Sequence, residues 1–298
     1  MNGAPAGAVA EALAAIDRWP GVAAAGVAGS PARATSAAGV AGSPGPLPTG
    51  VIAVAGPTSR AFPWASVTKI LTALAVWVAV EEGTLAWGDA AGPPGCTVAH
   101  LLSHASGLAP DDDRVLAPPA TRRIYSNRGI EVAAAALEDA AGMTFAEYLA
   151  AGVLEPLGMT GTVLDGSPAS GAVGPLEDLL ALGRELLAPA LIDAGTVAQA
   201  TRVAFSGLAG VLPGFGQQVP NDWGLGVELR SHKSPHWTGS LNSPATFGHF
   251  GRSGSFLWVD PIRSLAVAAL SGTPFGPWAV DAWPALSDAV IAACGHRP

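Results

Sequence analysis

Phe62-Pro63-Trp64-Ala65-Ser66-Val67-Thr68-Lys69 leads into a run from Ile70 to Val80 that is apolar except for Thr72. A proline-bounded turn feeding such a run reads as a loop entering a buried helix, with Ser66 in its first turn. Serine and lysine three apart share one helix face, about one turn from each other. That is the arrangement of a nucleophile with its own base. Exposed amides at a helix start can hold a developing oxyanion. The positive end of the helix disfavours a protonated amine, so Lys69 could sit partly neutral and accept the Ser66 proton. A Ser-x-x-Lys match is short enough to arise by chance. Two features give it weight. Lys69 and Lys233 are the only lysines in the chain, and a buried lysine is costly unless it is paired or functional. The second feature is a set of partners downstream.

Outward from that stretch, composition sets the bounds. The chain of 298 residues is 49% hydrophobic and 13% charged, ample for a packed core in one domain or two interleaved parts. Gly 38 and Pro 26 are many, yet below the level of wholesale disorder. A net charge of −8 with no Lys/Arg cluster beyond Arg122-Arg123 argues against nucleic-acid binding. Cys96 and Cys294 imply no disulfide framework, only buried thiols. No charge precedes Glu11, so a basic signal-peptide start is missing, and the apolar run at 70–80 is too short to span a bilayer. The expectation is a soluble, cytoplasmic protein with no membrane partner.

Along the chain, Val9, Leu13, Ile16 and Trp19 mark a helix over 7–19 that Pro20 ends. Small-residue segments at 21–28, 37–42 and 51–54 read as short strands. The hexamer Gly-Val-Ala-Gly-Ser-Pro at 26–31 and 39–44 is too short to mean a repeat architecture. Thr97 caps a short helix holding Leu101 and Leu102. Ser126 precedes a helix over 128–140 that Gly142 terminates. Thr144 and Glu147 form a capping box for a helix through Leu149, and another helix runs over 175–187. From there the pattern turns strand-like at Trp223 to Leu229, Ala245 to Phe250, Ser255 to Asp260 and Leu265 to Leu270, and a helix from Trp278 to Cys294 closes the chain. The expected fold is α+β: one antiparallel sheet built from both termini and flanked by helices, with an inserted, mostly helical subdomain. As one domain over 1–298, its α/β part is 1–85 and 220–298 and its helical part 86–219. The site would lie in the seam between them.

Two further clusters carry chemistry. Tyr125-Ser126-Asn127 opens a predicted helix. A phenol near a lysine ammonium can have a lowered pKa and shuttle a proton to a leaving group, while Asn127 could hold a substrate carbonyl or orient Lys69. His249-Phe250-Gly251 lies on a strand just before a turn. A strand edge beside the nucleophile supplies a second oxyanion amide, here that of Arg252.

Ser66-x-x-Lys69, Tyr125-x-Asn127 and His249-x-Gly251, in that order, resemble the serine β-lactamase and penicillin-binding-protein superfamily. The resemblance is to the class C-like branch with D-alanyl-D-alanine carboxypeptidases and family VIII-type esterases. Leu101 to Leu108 and Glu155-Pro156-Leu157-Gly158-Met159 look like that branch's structural signatures, and the similarity runs from about Phe62 to Leu270. It implies acylation of Ser66, with Lys69 and Tyr125 managing protons, then hydrolysis of the acyl-enzyme formed from a small acyl substrate, with no cofactor. Relatives of this kind usually carry Lys and then Ser or Thr in the third motif, both binding a substrate carboxylate. His249 and Phe250 in those places point to an esterase or amidase with weak β-lactamase or D-Ala-peptidase activity. The alternative is a non-hydrolytic acyl-binding sensor.

Other chemistries find less. His100 and His104 are spaced as in zinc sites but lack the intervening glutamate and a third ligand, so no metal is expected. Gly-x-Ser-x-Gly and the glycine-rich nucleotide loops do not occur. Arg122 and Arg123 are expected to face solvent or pair with Asp111 to Asp113.

Overall fold

The computed structural model describes residues 6–29, 38–39 and 49–295. Helix α1 (Ala6–Leu13) tightens into a 3₁₀ turn over Ala14–Arg18 before β1 (Ala23–Gly29), β2 (Ala38–Gly39), β3 (Val51–Ala55) and β4 (Phe62–Pro63). The strand expected over 37–42 lies outside the described residues except for Ala38–Gly39. Then come α2 (Thr68–Glu81), α3 (Val98–Leu102), α4 (Asn127–Ala141) and α5 (Phe145–Leu149). Strands β5 (Val163–Leu164) and β6 (Ala172–Gly174) separate these from α6 (Leu176–Leu187) and α7 (Ala194–Ala200). A hairpin follows, β7 (Gly210–Leu212) with β8 (Gly216–Gln218), then β9 (Glu228–Leu229), β10 (Phe247–Gly251), β11 (Ser255–Asp260), β12 (Leu265–Ser271) and α8 (Pro277–Ala293).

The main sheet runs β2-β3-β1-β12-β11-β10-β9, so strands from both ends of the chain are joined where β1 lies antiparallel to β12, Ala23 opposite Ser271 and Gly29 opposite Leu265. All residues of β1, β3, β10, β11 and β12 are buried. The reason is that both faces are covered. Along β11, Leu257 and Val259 enter one hydrophobic cluster with α6, while Phe256 and Trp258 enter a second with α1 and α8. Alternation of side chains sorts them. The sheet is rich in Ala and Gly where helices press close: a Cβ on Gly26 would meet Leu180 Cδ1 at 2.6 Å, and one on Gly183 of α6 would meet Leu257 at 3.1 Å.

Every residue of α2 from Thr68 to Ala79 is buried, as suits a helix apolar all round. It packs between the sheet and the helical part, touching α4, α5 and α7. Ala73 abuts Gly226, and the Trp77 indole N–H donates to Leu225 O at 2.9 Å. The expected caps are present: Ser126 accepts from Gly129 N, Gly142 adopts φ +68°, and Thr144 with Glu147 closes a capping box. The strand expected over Trp223 to Leu229 is corrected. Only Glu228–Leu229 is strand, and Trp223 bridges back to Glu228 across a tight turn in which Gly226 has φ +96°. No helix among the described residues is long and apolar enough to cross a membrane.

Candidate active site

Ser66 lies in a 3₁₀ turn, Ala65–Val67, immediately before α2. Ala65 has φ +46°, a left-handed conformation that a non-glycine residue holds only when its surroundings enforce it. They do so through strands from elsewhere. Trp64 N donates to Ala172 O at 2.8 Å, its indole N–H to Gly174 O at 3.1 Å, and Ser255 Oγ donates to Trp64 O at 2.7 Å. A Cβ on Gly251 would lie 2.3 Å from Trp64 O. Only glycine lets β10 come this close to the serine turn.

Lys69, on the first turn of α2, is fully buried, and Nζ lies 3.2 Å from Ser66 Oγ. It donates to Asn127 Oδ1 at 2.6 Å and to Ala169 O at 2.8 Å. Burial lowers the Lys69 pKa to about 7, with Asp111 and Glu131 opposing the shift. A neutral amine has two N–H groups and one lone pair. Both donors are taken by fixed oxygens, which leaves the lone pair for the Ser66 hydroxyl. The Ala169 carbonyl is set by loop 165–171, tied to α2 by Thr72 Oγ1 donating to Pro168 O at 2.6 Å and to α4 by Ser167 Oγ donating to Glu131 at 2.7 Å.

Tyr125 precedes α4 and its hydroxyl donates to Ser66 Oγ at 2.8 Å. The expectation of a lowered phenol pKa is corrected: burial raises it well above the ordinary value, only partly offset by the Ser66 hydrogen bond and Arg252. Tyr125 is therefore a neutral donor, since its lysine neighbour is itself desolvated. His249 Nε2 stands 3.5 Å from the Tyr125 hydroxyl, and Nδ1 donates to Phe250 O at 2.7 Å. That bond places the ring proton on Nδ1. Burial, and then Lys69, push the His249 pKa down to about 3, so the ring stays neutral across the working range.

The cleft in front of these groups holds about 530 Å³. Ser66, Tyr125, Asn127 and His249 line it, with Phe250, Phe275, Leu212 and Trp223 as apolar walls and Asp111, Glu228 and Arg252 as its charged residues. Asn127 Nδ2 donates to Asp111 Oδ1 at 2.7 Å, so Asn127 links the lysine to the rim. The arrangement can acylate a serine: base, neutral proton donor, polarised turn and open cleft converge on one hydroxyl.

Sequence reasoning misplaced or missed several residues. Arg123 is buried rather than solvent-facing. Its guanidinium donates to the carbonyls of Ser103, Ala204, Phe205 and Asn221, and Arg114 and Arg128 pair with Asp112 and Asp113 instead. His100 Nδ1 accepts from Thr97 N at 3.2 Å in a capping box, and among the described residues no cluster could hold a metal ion. Beside Trp223 on the cleft lining lies a buried group not foreseen. Glu228 is paired with Lys233, accepts from the Trp237 indole at 3.0 Å and from His236 Nε2 at 3.0 Å. Burial alone would raise the Glu228 carboxyl, but Lys233 and His236 together hold it well below the usual carboxylate range. The second of the two lysines was the only sequence signal for it. Lys233→Met leaves that carboxylate without its ammonium, and chemical denaturation at pH 7 should read a loss of about 3–5 kcal/mol. A loss below about 1 kcal/mol, the scale of an exposed pair, would show the group to be solvated.

A family model described as Beta-lactamase matches residues 8–290. Among solved structures, a β-lactamase from Mycobacterium bovis is 50% identical, over 94% of this chain and 98% of that one, with a TM-score of 0.87. EstCE1, a hydrolase with promiscuous acyltransferase activity, shares the fold at 18% identity, over 96% of this chain and 99% of that one, with a TM-score of 0.75. A penicillin-binding protein of Bacillus subtilis (strain 168) is 30% identical over 139 residues, 35% of this chain and 31% of that protein. The chain thus matches less than a third of that curated relative's length.

Proposed function

The chain belongs to the β-lactamase family, and on that premise we propose that it is a serine hydrolase whose acyl-enzyme forms on Ser66. Its substrates are small acyl esters or amides, with β-lactams and D-Ala peptides turned over weakly. The observation that carries this reading is the hydrogen-bond pattern at Lys69, which directs a neutral amine's lone pair at Ser66 Oγ. Lys69 takes the serine proton during attack. Tyr125, neutral and 2.8 Å from Oγ, gives its proton to the leaving group and takes in exchange the one held by Lys69. Water then cleaves the acyl ester, its proton passing to Ser66 Oγ as the acid leaves. The amides of Ser66 and Arg252 serve the oxyanion. A chromogenic ester under single- and multiple-turnover conditions tests this. Sustained turnover supports the hydrolase, whereas one equivalent of product followed by silence identifies an acyl-binding sensor.

Substrate preference rests on His249. Because this ring remains neutral far below pH 5.5, it does not gain near pH 6 the charge by which an ordinary histidine would draw a substrate carboxylate. The ratio of kcat/KM for a penicillin to that for a neutral ester should stay flat from pH 5.5 to 8.5. His249→Lys should raise the penicillin value about tenfold, worth about 1.4 kcal/mol, and barely change the ester value. A ratio that climbs as the wild type is acidified would show the ring gaining a proton in that range, and one unmoved by the lysine removes His249 from carboxylate discrimination.

A further inference from the structure

His104 is buried, lies outside the cleft lining, and follows the end of α3. Its backbone has φ +57°, a region in which histidine is tolerated but disfavoured. Its Nδ1 accepts the Ser126 amide at 3.1 Å, and its carbonyl accepts the Ile124 amide at 2.9 Å. Those are the two amides on either side of Tyr125. The imidazole also packs on the Tyr125 ring, with centroids 4.6 Å apart, and meets Trp223 edge to face at 4.5 Å. Since Nδ1 accepts, the neutral ring carries its proton on Nε2, which has no hydrogen-bond partner. A left-handed backbone and an unpaired buried donor are both unfavourable, and such features persist where the surroundings and the function require them.

We infer that His104 is a positioning residue for Tyr125, fixing the phenol by its two flanking amides and one ring face so that the hydroxyl stays on Ser66 Oγ. The other contacts act on the hydroxyl, at Ser66 and His249, or on the ring, where Lys69 Nζ lies 4.9 Å from its centroid, and none of these holds the flanking amides. Arg123 grips the next segment, donating to Ser103 O at 2.6 Å, but the other rings facing Tyr125, Trp223 and His249, are farther, at 5.9 and 5.8 Å. Burial, followed by the nearby Lys69, His249 and Arg123, keeps His104 neutral, so it adds no charge beside the amine that must lose its proton. His104 contacts neither Ser66 nor the cleft, so its effect on the reaction passes through Tyr125.

The inference rests on the proposed role of Tyr125, and a double-mutant cycle separates the two. His104→Asn and His104→Gly both suit the left-handed backbone and remove the ring. With a neutral p-nitrophenyl ester, each should lower kcat by about 10- to 100-fold, the scale of a misplaced catalytic group, while KM changes little. In a Tyr125→Phe background the same substitutions should cost almost nothing further. Denaturation midpoints and titration of Ser66 with a fluorophosphonate correct each rate for folded, competent enzyme. Equal fold losses in both backgrounds, or no kcat loss in the folded variants, would overturn the role of His104. If Tyr125→Phe alone leaves kcat intact, it is the reading of Tyr125 that fails.

Discussion

Ser66→Ala should lower kcat for an activated ester by about 10⁴- to 10⁶-fold, as when a nucleophile is taken from a group of residues acting as one unit. Lys69, Tyr125 and Asn127 would remain in place, but the bonds of Lys69 and Tyr125 converge on an oxygen that no longer exists. What survives is binding and the amides of the turn. In parallel, a fluorophosphonate or penicillin probe should add its mass to the wild-type peptide containing Ser66 and leave the variant untouched. Mass spectrometry of the digested protein reads this directly. Labelling that persists in Ser66→Ala would move the nucleophile elsewhere.

Lys69→Met is the second large effect, about 10²- to 10⁴-fold in kcat, and it carries a pH signature. With its pKa lowered to about 7, Lys69 is a competent base only when neutral. Wild-type kcat/KM should therefore rise with pH up to about 7, falling about tenfold per unit below it, and level off above. The variant should lose that limb and show a flat, low profile. Tyr125→Phe should reduce kcat on a similar scale, and the pair should lose less than the product of the single losses. Measurement of kcat/KM from pH 5.5 to 8.5 for wild type and variants decides it. A limb that survives in Lys69→Met belongs to another group, and losses that multiply would argue for independent roles.

Local rules made much of this legible beforehand. Ser126, Gly142 and the Thr144–Glu147 box act within a few residues of themselves, so caps could be read from spacing. Short strand-like runs separated by the turn signals Arg252-Ser253-Gly254 and Asp260-Pro261 likewise located β10 to β12 nearly at their observed bounds. Trp223 to Leu229 failed because its glycines serve close approach, Gly226 against Ala73 and Gly224 against Ala200 O, rather than strand pairing. Arg123 failed for the opposite reason. Its charge suggested solvent, yet carbonyls from Ser103, Ala204, Phe205 and Asn221 converge on it from three separate stretches of chain.

The order Ser66-x-x-Lys69, Tyr125-x-Asn127 and His249-x-Gly251, and the apolar helix that buries the lysine, are properties of the sequence alone. They identify which residues meet. The protonation states with which they meet belong to the tertiary structure. Lys69 is poised near neutrality because segments 58 and 100 residues away, at Asn127 and Ala169, pack over its amine and desolvate it. Tyr125 is held neutral, and His249 is fixed as its Nδ1–H tautomer, by burial and by the carbonyl of Phe250. Spacing along a chain sets which side chains share a face, but desolvation and hydrogen-bond accounting sum over every neighbour the fold brings in. The sum exists only once the distant segments are packed together.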